Sequence, residues 1–106
     1  MPTSLNLDTA RGNDGELVLL ANGEIDLSNI DAFDQALSAA TNEVAGADGK
    51  LTVDLSAVEY VDSAAINALF THAEHIRLIA HPLLMSILSM CGLTELVTTE
   101  PAPTGH

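Results

Sequence analysis

Aromatic and cationic side chains are both scarce in this chain. Aromatic residues make up 3% of the sequence and tryptophan is absent, so the core must come from the aliphatic members of the 47% that is hydrophobic. Lys and Arg number 3 against 15 Asp and Glu, which gives a net charge of −12. Such a surface disfavours nucleic acids and anionic membranes, because few cations are available for phosphate groups. The acidic charge favours either a basic protein partner or solubility alone.

Cysteine and long apolar segments are scarce as well. A single cysteine, Cys91, excludes an internal disulfide, and its place in the apolar run 85–91 predicts a small core residue. No apolar stretch approaches the roughly 20 residues that span a bilayer, and the N-terminus lacks the pattern of a signal peptide. We therefore expect a cytoplasmic protein. Its 106 residues predict one domain over 1–99 and a flexible tail over 100–106.

The first half of the chain predicts two strands and a helix. Alternating apolar residues near 5–8 and 16–25 flank a turn cluster at 11–15, which ends in Asp-Gly and favours an antiparallel pair. Ser28, with Asp31 three residues later, is a weak capping box and predicts the start of a helix. We expect that helix to bury Ile30, Phe33, Leu37 and Ala40 and to end in the glycine-rich stretch 46–49.

The second half predicts a central strand at 51–55 and a helix that begins at Ser63. Residues 63–80 fit either a helix followed by a strand or one long helix, and the alternation at 75–80 before Pro82 favours the first. Pro82 suits the first turn of a third helix and Gly92 its end. The apolar face predicted for that helix comprises Leu83, Leu84, Ile87, Leu88 and Cys91. Residues 95–99 predict a short last strand.

The predicted fold class is therefore α/β, in the order β-β-α-β-α-β-α-(β). Strands that alternate with helices predict a mixed sheet of four to five strands, with right-handed crossovers and helices packed on it.

Ser63 is the most informative residue, because it stands where an apolar strand stops and a helix starts. A hydroxyl at that position lies at the positive end of the helix, where unpaired N–H groups stabilise a phosphate. The alternative is an ordinary helix-starting serine. Asp62 is predicted to cap the helix and to neighbour the site. Asp26 either ends a strand or contributes to the site, and Ser28 is expected to be a cap rather than a second phosphorylated residue.

Metal and enzyme interpretations find little support. His72 and His75 have a spacing that allows two ligands on a helix, but neither a cysteine pair nor a third well-spaced ligand accompanies them. A hydrolase would need a histidine base beside Ser63, whereas the histidines lie at least two helical turns further on and no glycine-rich nucleophile elbow is present. We expect no metal, no cofactor and no enzymatic activity.

Four short motifs occur in order on the expected elements, and they are Gly23-Glu24-Ile25-Asp26, Val53-Asp54-Leu55-Ser56, Val61-Asp62-Ser63 and Gly92-Leu93. With these motifs the chain resembles the STAS domains, and specifically the bacterial anti-sigma factor antagonists. The resemblance covers about residues 5–97.

The resemblance implies a phosphorylation switch in transcription regulation. It implies that an anti-sigma factor with serine kinase activity phosphorylates Ser63, that the unphosphorylated form binds this kinase and frees a sigma factor, and that a PP2C-type phosphatase resets the switch. The partner-binding residues that it implies are Asp26, Ser28, Asp62, Ser63 and Ala64. We expect the free protein to be a monomer.

The chain departs from the family pattern directly after the serine. The family has Ser or Thr and then Gly, whereas Ala64 and Ala65 stand here, which stiffens the start of the helix. The alternative function is a STAS-type scaffold or ligand-sensing regulatory module that phosphorylation does not control.

Overall fold

The computed structural model describes residues 5–12, 16–45 and 49–101. Its sheet has five strands, which are β1 (Leu5–Arg11), β2 (Leu17–Ile25), β3 (Leu51–Val61), β4 (Ile76–Ala80) and β5 (Thr99–Pro101). The helices are α1 (Ile30–Ala45), α2 (Ser63–Thr71), α3 (Pro82–Met90) and α4 (Leu93–Leu96), with a 3₁₀ turn at Ala73–His75.

The strands lie in the sheet in the order in which they occur in the chain. Strands β1 and β2 are antiparallel, and the β2–β3, β3–β4 and β4–β5 pairs are parallel. This arrangement confirms the predicted α/β class and order of elements. None of the helices in the described part of the chain is both long and apolar enough to cross a membrane.

One face of the sheet is buried and the other is open. With strands in chain order, right-handed crossovers place the connecting helices on the same face. Burial follows this geometry in β4, where Ile76, Leu78 and Ala80 are buried and Arg77 is exposed. Phe33 is completely buried in a core that is otherwise aliphatic, as the composition predicts.

Residues 63–80 form a helix and then a strand, which confirms the favoured interpretation. The 3₁₀ turn makes the tight connection, and β4 then pairs with β3 in parallel from Leu51↔Ile76 to Leu55↔Ala80. A continuous helix would have left this edge of β3 without its hydrogen-bonding partner.

The predicted apolar face of α3 is wrong in part. Leu84 and Leu88 are buried, but Leu83 is 67% exposed, Ile87 is 40% exposed and Cys91 is also exposed. The helix is apolar on nearly all sides, and only one stripe of it can contact the sheet. Cys91 is therefore not a core residue.

The chain beyond α3 also differs from the prediction. Gly92 ends α3 as expected, with a positive φ of 82°, but residues 93–96 form α4 and the last strand lies at 99–101. Glu100 and Pro101, which the sequence predicts as tail, thus pair with β4 at Ile79 and Ala80. The Asp-Gly turn at 14–15, the stretch 46–48 and the tail from 102 lie outside the described residues.

Strands β2 and β3 continue past the end of β4. The last pair between β3 and β4 is Leu55↔Ala80, whereas β2 and β3 stay paired to Ile25↔Val61. At the usual rise of a strand residue, this extension is roughly 20 Å long. We call the end of the sheet at Ile25 and Val61 the carboxyl edge, and the opposite end, where these parallel strands begin, the amino edge.

Candidate functional site

The carboxyl edge brings two segments together that are distant in sequence. Since β2 and β3 are parallel and end in register, Asp26 and Asp62 leave the sheet side by side. The backbone N–H of Asp62 donates to the Ile25 carbonyl at 3.1 Å, which fixes the start of α2 against the end of β2.

Asp62 connects the two segments through both of its carboxylate oxygens. Oδ1 accepts from the Ala65 N–H at 3.1 Å, which is the predicted N-cap of α2. Oδ2 accepts from the Leu27 N–H at 2.9 Å, across 35 positions of sequence. One side chain therefore starts the helix and also holds the β2–α1 loop in place.

The β2–α1 loop is a compact turn built on Asp26 and Asn29. Oδ1 of Asp26 accepts from the Ser28 N–H at 2.9 Å, and the Asp26 carbonyl accepts from the Asn29 N–H at 3.1 Å. The Asn29 amide accepts from the Asp26 N–H at 3.0 Å through Oδ1 and donates to the Glu24 carbonyl at 2.9 Å through Nδ2. Each backbone N–H from Asp26 to Asn29 is thus hydrogen-bonded.

The prediction that Ser28 caps α1 is wrong. Its hydroxyl donates to Oδ1 of Asp26, and α1 begins only at Ile30. The carbonyl that accepts the first N–H groups of α1 belongs to Asn29, so Ser28 lies before the capping position, and its hydroxyl donates to the nearby carboxylate instead. Sequence reasoning also missed Asn29, although an asparagine directly before an apolar periodic segment is a helix-start signal.

Ser63 is exposed and begins α2. Within the described ranges, its hydroxyl makes no hydrogen bond and the backbone N–H groups of Ser63 and Ala64 find no acceptor. Two donors of the helix start are thereby left for solvent or for a bound anion. Ala64 is half-buried and Ala65 is fully buried, so the helix packs tightly directly behind the serine.

The histidines of the described residues lie away from Ser63. His72 follows the C-terminus of α2, about 13 Å along the helix axis, where its Nε2 is 3.2 Å from Oδ1 of Asp34. His81 caps α3, with Nδ1 accepting from the Leu83 N–H at 3.0 Å. No three potential metal ligands come together among residues 5–12, 16–45 and 49–101. Within these ranges the geometry gives the Ser63 hydroxyl no histidine base.

Asp54, from the second resembling motif, has a local role. Its Oδ1 accepts from both the N–H and the hydroxyl of Ser56, at 2.9 and 2.6 Å. This pair lies in β3 before the carboxyl edge and belongs to the strand.

Comparison with known proteins agrees with this geometry. The sequence profile of the family described as "Mlab, STAS domain" matches residues 9–98. A comparison with curated proteins finds no match.

Solved structures of anti-sigma factor antagonists are similar along almost their whole length. An anti-sigma factor antagonist from Mycobacterium paratuberculosis is 27% identical, with a TM-score of 0.78 over 93% of this chain and 87% of that one. The antagonist SpoIIAA in its unphosphorylated form is 14% identical, with a TM-score of 0.70 over 93% and 90% of the two chains. SpoIIAA of Bacillus in its phosphorylated form is also 14% identical, with a TM-score of 0.64 over 93% of each chain.

The matched profile covers all but the ends of the chain. The sheet order, the capped helix α2 and the exposed serine occur together in this chain. The chain therefore belongs to the STAS domain family, and its fold is that of the anti-sigma factor antagonists.

Proposed function

We propose that this protein is an anti-sigma factor antagonist that phosphorylation of Ser63 switches off. In the unphosphorylated state it binds an anti-sigma factor with serine kinase activity and thereby releases a sigma factor. A PP2C-type phosphatase returns it to the binding state. It acts by binding, without catalysis of its own.

The observation that carries this proposal is the exposed Ser63 hydroxyl at the start of α2, with two helix N–H groups beside it that have no acceptor in the described part of the chain. A kinase can reach such a hydroxyl without unfolding the domain. The γ-phosphoryl group of ATP would pass to the Ser63 Oγ, ADP would leave, and the hydroxyl proton would go to a base of the kinase.

The energetics favour a change in binding over a change in fold. Phosphorylation adds about −1.5 to −2 charges. The dipole of α2 stabilises that charge by roughly 0.3–1 kcal/mol, and repulsion from Asp62 opposes it by a similar amount. Asp62 is already held by two N–H donors, so it stays in place as the cap. The domain therefore stays folded.

The effect at an interface is larger. A partner surface that fits a neutral hydroxyl would have to desolvate the phosphate without an added counter-charge, which costs roughly 3–5 kcal/mol. That corresponds to a loss of affinity of about a hundredfold to several thousandfold. A rigid domain can act in this way as a binary signal.

The first experiment asks whether Ser63 is phosphorylated. The purified protein is incubated with ATP and with each purified anti-sigma kinase of its own genome, and its intact mass is measured. We expect a species heavier by about 80 Da, one phosphoryl group, that maps to Ser63 and disappears in Ser63→Ala. Ser28→Ala is the matched control, since Ser28 is also an exposed serine at the carboxyl edge.

The second experiment measures binding to the purified kinases that were used in the first. Ser63→Glu should fold as the wild type does and bind at least tenfold more weakly, whereas Ser63→Ala should keep its affinity. If a kinase binds but Ser63 gains no phosphate, the alternative of a scaffold or ligand-sensing module replaces the switch.

A further inference from the structure

Leu27 is a large apolar side chain that the fold leaves in water. It is 76% exposed, on the loop that Asp62 ties to α2. Apolar side chains stabilise a fold by burial, and this one contributes little to the core. Tyr60 is close to the same edge, in register with Glu24 at the end of β3, and is 49% exposed.

The backbone that presents Leu27 is already ordered. Its own N–H is held by Asp62 at 2.9 Å, and the turn around it is closed by Asp26 and Asn29. A partner that buries Leu27 therefore does not have to order this loop, which removes a cost that association usually carries. An isolated exposed leucine needs no explanation. This one is fixed by the residue that precedes Ser63, whose exposed hydroxyl has no partner within the described ranges, and it is therefore placed for contact.

The charges around Leu27 are all of one sign. Among the described residues, the carboxyl edge carries acidic side chains and no cation, because the chain's three cationic residues lie elsewhere. Arg11 pairs with Leu17, Lys50 directly precedes β3, and Arg77 is in the first half of β4, which places all three at the amino edge. The acidic residues at the ends of β2 and β3 and in the segments that follow them are Glu24, Asp26, Asp31, Glu59 and Asp62.

We propose that Leu27 is the apolar anchor of the interface, and that it inserts into a pocket of the partner protein whose rim carries Lys or Arg side chains. This inference rests on the proposed function and names the chemistry of the partner surface. The acidic residues of the carboxyl edge select the cationic rim, and the apolar side chain of Leu27 supplies the affinity.

The anchor also explains how a phosphate on Ser63 would release the partner. The carboxylates of the carboxyl edge already neutralise the partner's cationic rim in the complex, so the phosphate finds no free counter-charge. Asp62 hydrogen-bonds the Leu27 N–H and Ser63 follows it in the chain, so the added group would stand beside the anchor and keep it from its pocket. The two residues should therefore be coupled energetically.

The test measures binding of the full chain to the purified anti-sigma kinases of its own genome by titration calorimetry. Leu27→Asn should lower the affinity roughly ten- to a hundredfold, because the complex no longer buries a leucine side chain. Leu27→Met should keep an affinity close to that of the wild type. Leu96→Asn is the matched control, because Leu96 is 62% exposed on α4 at the amino edge. Both asparagine variants should keep the wild-type midpoint of urea unfolding.

Each outcome decides one claim. If the wild type binds a kinase and Leu27→Asn binds equally well, the anchor is refuted while the proposed function stands. If Leu96→Asn loses as much affinity as Leu27→Asn, the contact is not specific to this edge and the anchor is refuted too. Binding to none of the kinases would overturn the proposed function and the anchor with it.

Combining Leu27→Asn with Ser63→Glu should weaken binding by less than the product of the two single effects, and a simple product would refute the coupling.

Discussion

Asp62 joins two elements with one carboxylate, since Oδ1 caps α2 and Oδ2 holds the Leu27 N–H. Asp62→Ala removes the cap and leaves two backbone donors without their acceptor. We expect the free energy of unfolding to fall by about 1–2 kcal/mol, measured by urea denaturation with a fixed m-value.

Asp62→Asn separates the two roles. Asparagine is as good a cap as aspartate, but it has one oxygen and therefore loses one of the two hydrogen bonds. We expect its stability to lie between those of the wild type and Asp62→Ala. Equal stability of all three proteins would show that neither hydrogen bond matters to the fold.

Cys91 provides a second test at the scale of single residues. Because the thiol is exposed at the end of α3, Cys91→Ser should change the free energy of unfolding by less than about 0.5 kcal/mol, and the native protein should react with one equivalent of a thiol reagent. A loss above about 1.5 kcal/mol, or a thiol that reacts only after denaturation, would place the residue in the core after all.

Among the elements, the junction of α3 and α4 depends on a left-handed residue. Gly92 has φ 82°, and an added Cβ would meet only Oε2 of Glu95, at 3.8 Å. The cost of Gly92→Ala is therefore conformational rather than steric, about 1–2 kcal/mol by thermal or urea unfolding.

Gly49→Ala is the matched control for that substitution. An added Cβ at Gly49 meets nothing within 4 Å and its φ is not in the left-handed range. We expect this variant to be neutral or slightly more stable. Equal effects of the two substitutions would contradict the role given to the left-handed conformation.

Elements with a clear boundary signal could be predicted from the sequence. Asp62 is a polar residue directly before an apolar periodic segment, so the start of α2 could be predicted, whereas β3 runs to Val61, six residues past the predicted 51–55. Alternation in 76–80 identified β4. In α3 the residues 82–90 carry no charge and only Ser86 and Ser89 are polar, so the side that faces solvent was weakly marked, and the exposure of Leu83 was missed.

The remaining elements depend on contacts that no local pattern shows. Strand β5 has three residues and exists by pairing with β4, with Thr99 opposite Leu78. The importance of Leu27 and Asn29 likewise arises from tertiary geometry, because Leu27 is held by a residue 35 positions away. The candidate serine itself was predicted, but not the turn that surrounds it.

For the whole molecule, the separation of charge between the two edges should govern association. The net charge is −12, and the three Lys and Arg residues all lie at the amino edge, so the field at the carboxyl edge attracts a basic partner. We expect the association rate constant with the anti-sigma kinase to fall roughly tenfold as salt shortens the Debye length from about 10 Å to about 3 Å. Stopped-flow fluorescence with a labelled partner measures it.

A pair of substitutions tests where that attraction acts. Glu59→Gln, near the carboxyl edge, should slow association more than Glu74→Gln in the 3₁₀ turn at the amino edge, although each removes one exposed carboxylate. Equal effects, or a rate that salt leaves unchanged, would reduce the acidic charge to a means of keeping the protein soluble.

The extension of β2 and β3 past the end of β4 has a consequence for how such proteins diversify. The exposed side chains that we propose to meet a partner, Leu27 among them, lie on or beside this extension, whereas its inward side chains Ile25, Val58 and Val61 are buried in the core. New partner preferences can therefore arise by changing the exposed positions alone, without a new scaffold. Several proteins of this one fold can therefore work in the same cell, each binding its own regulator, with little cross-reaction between them.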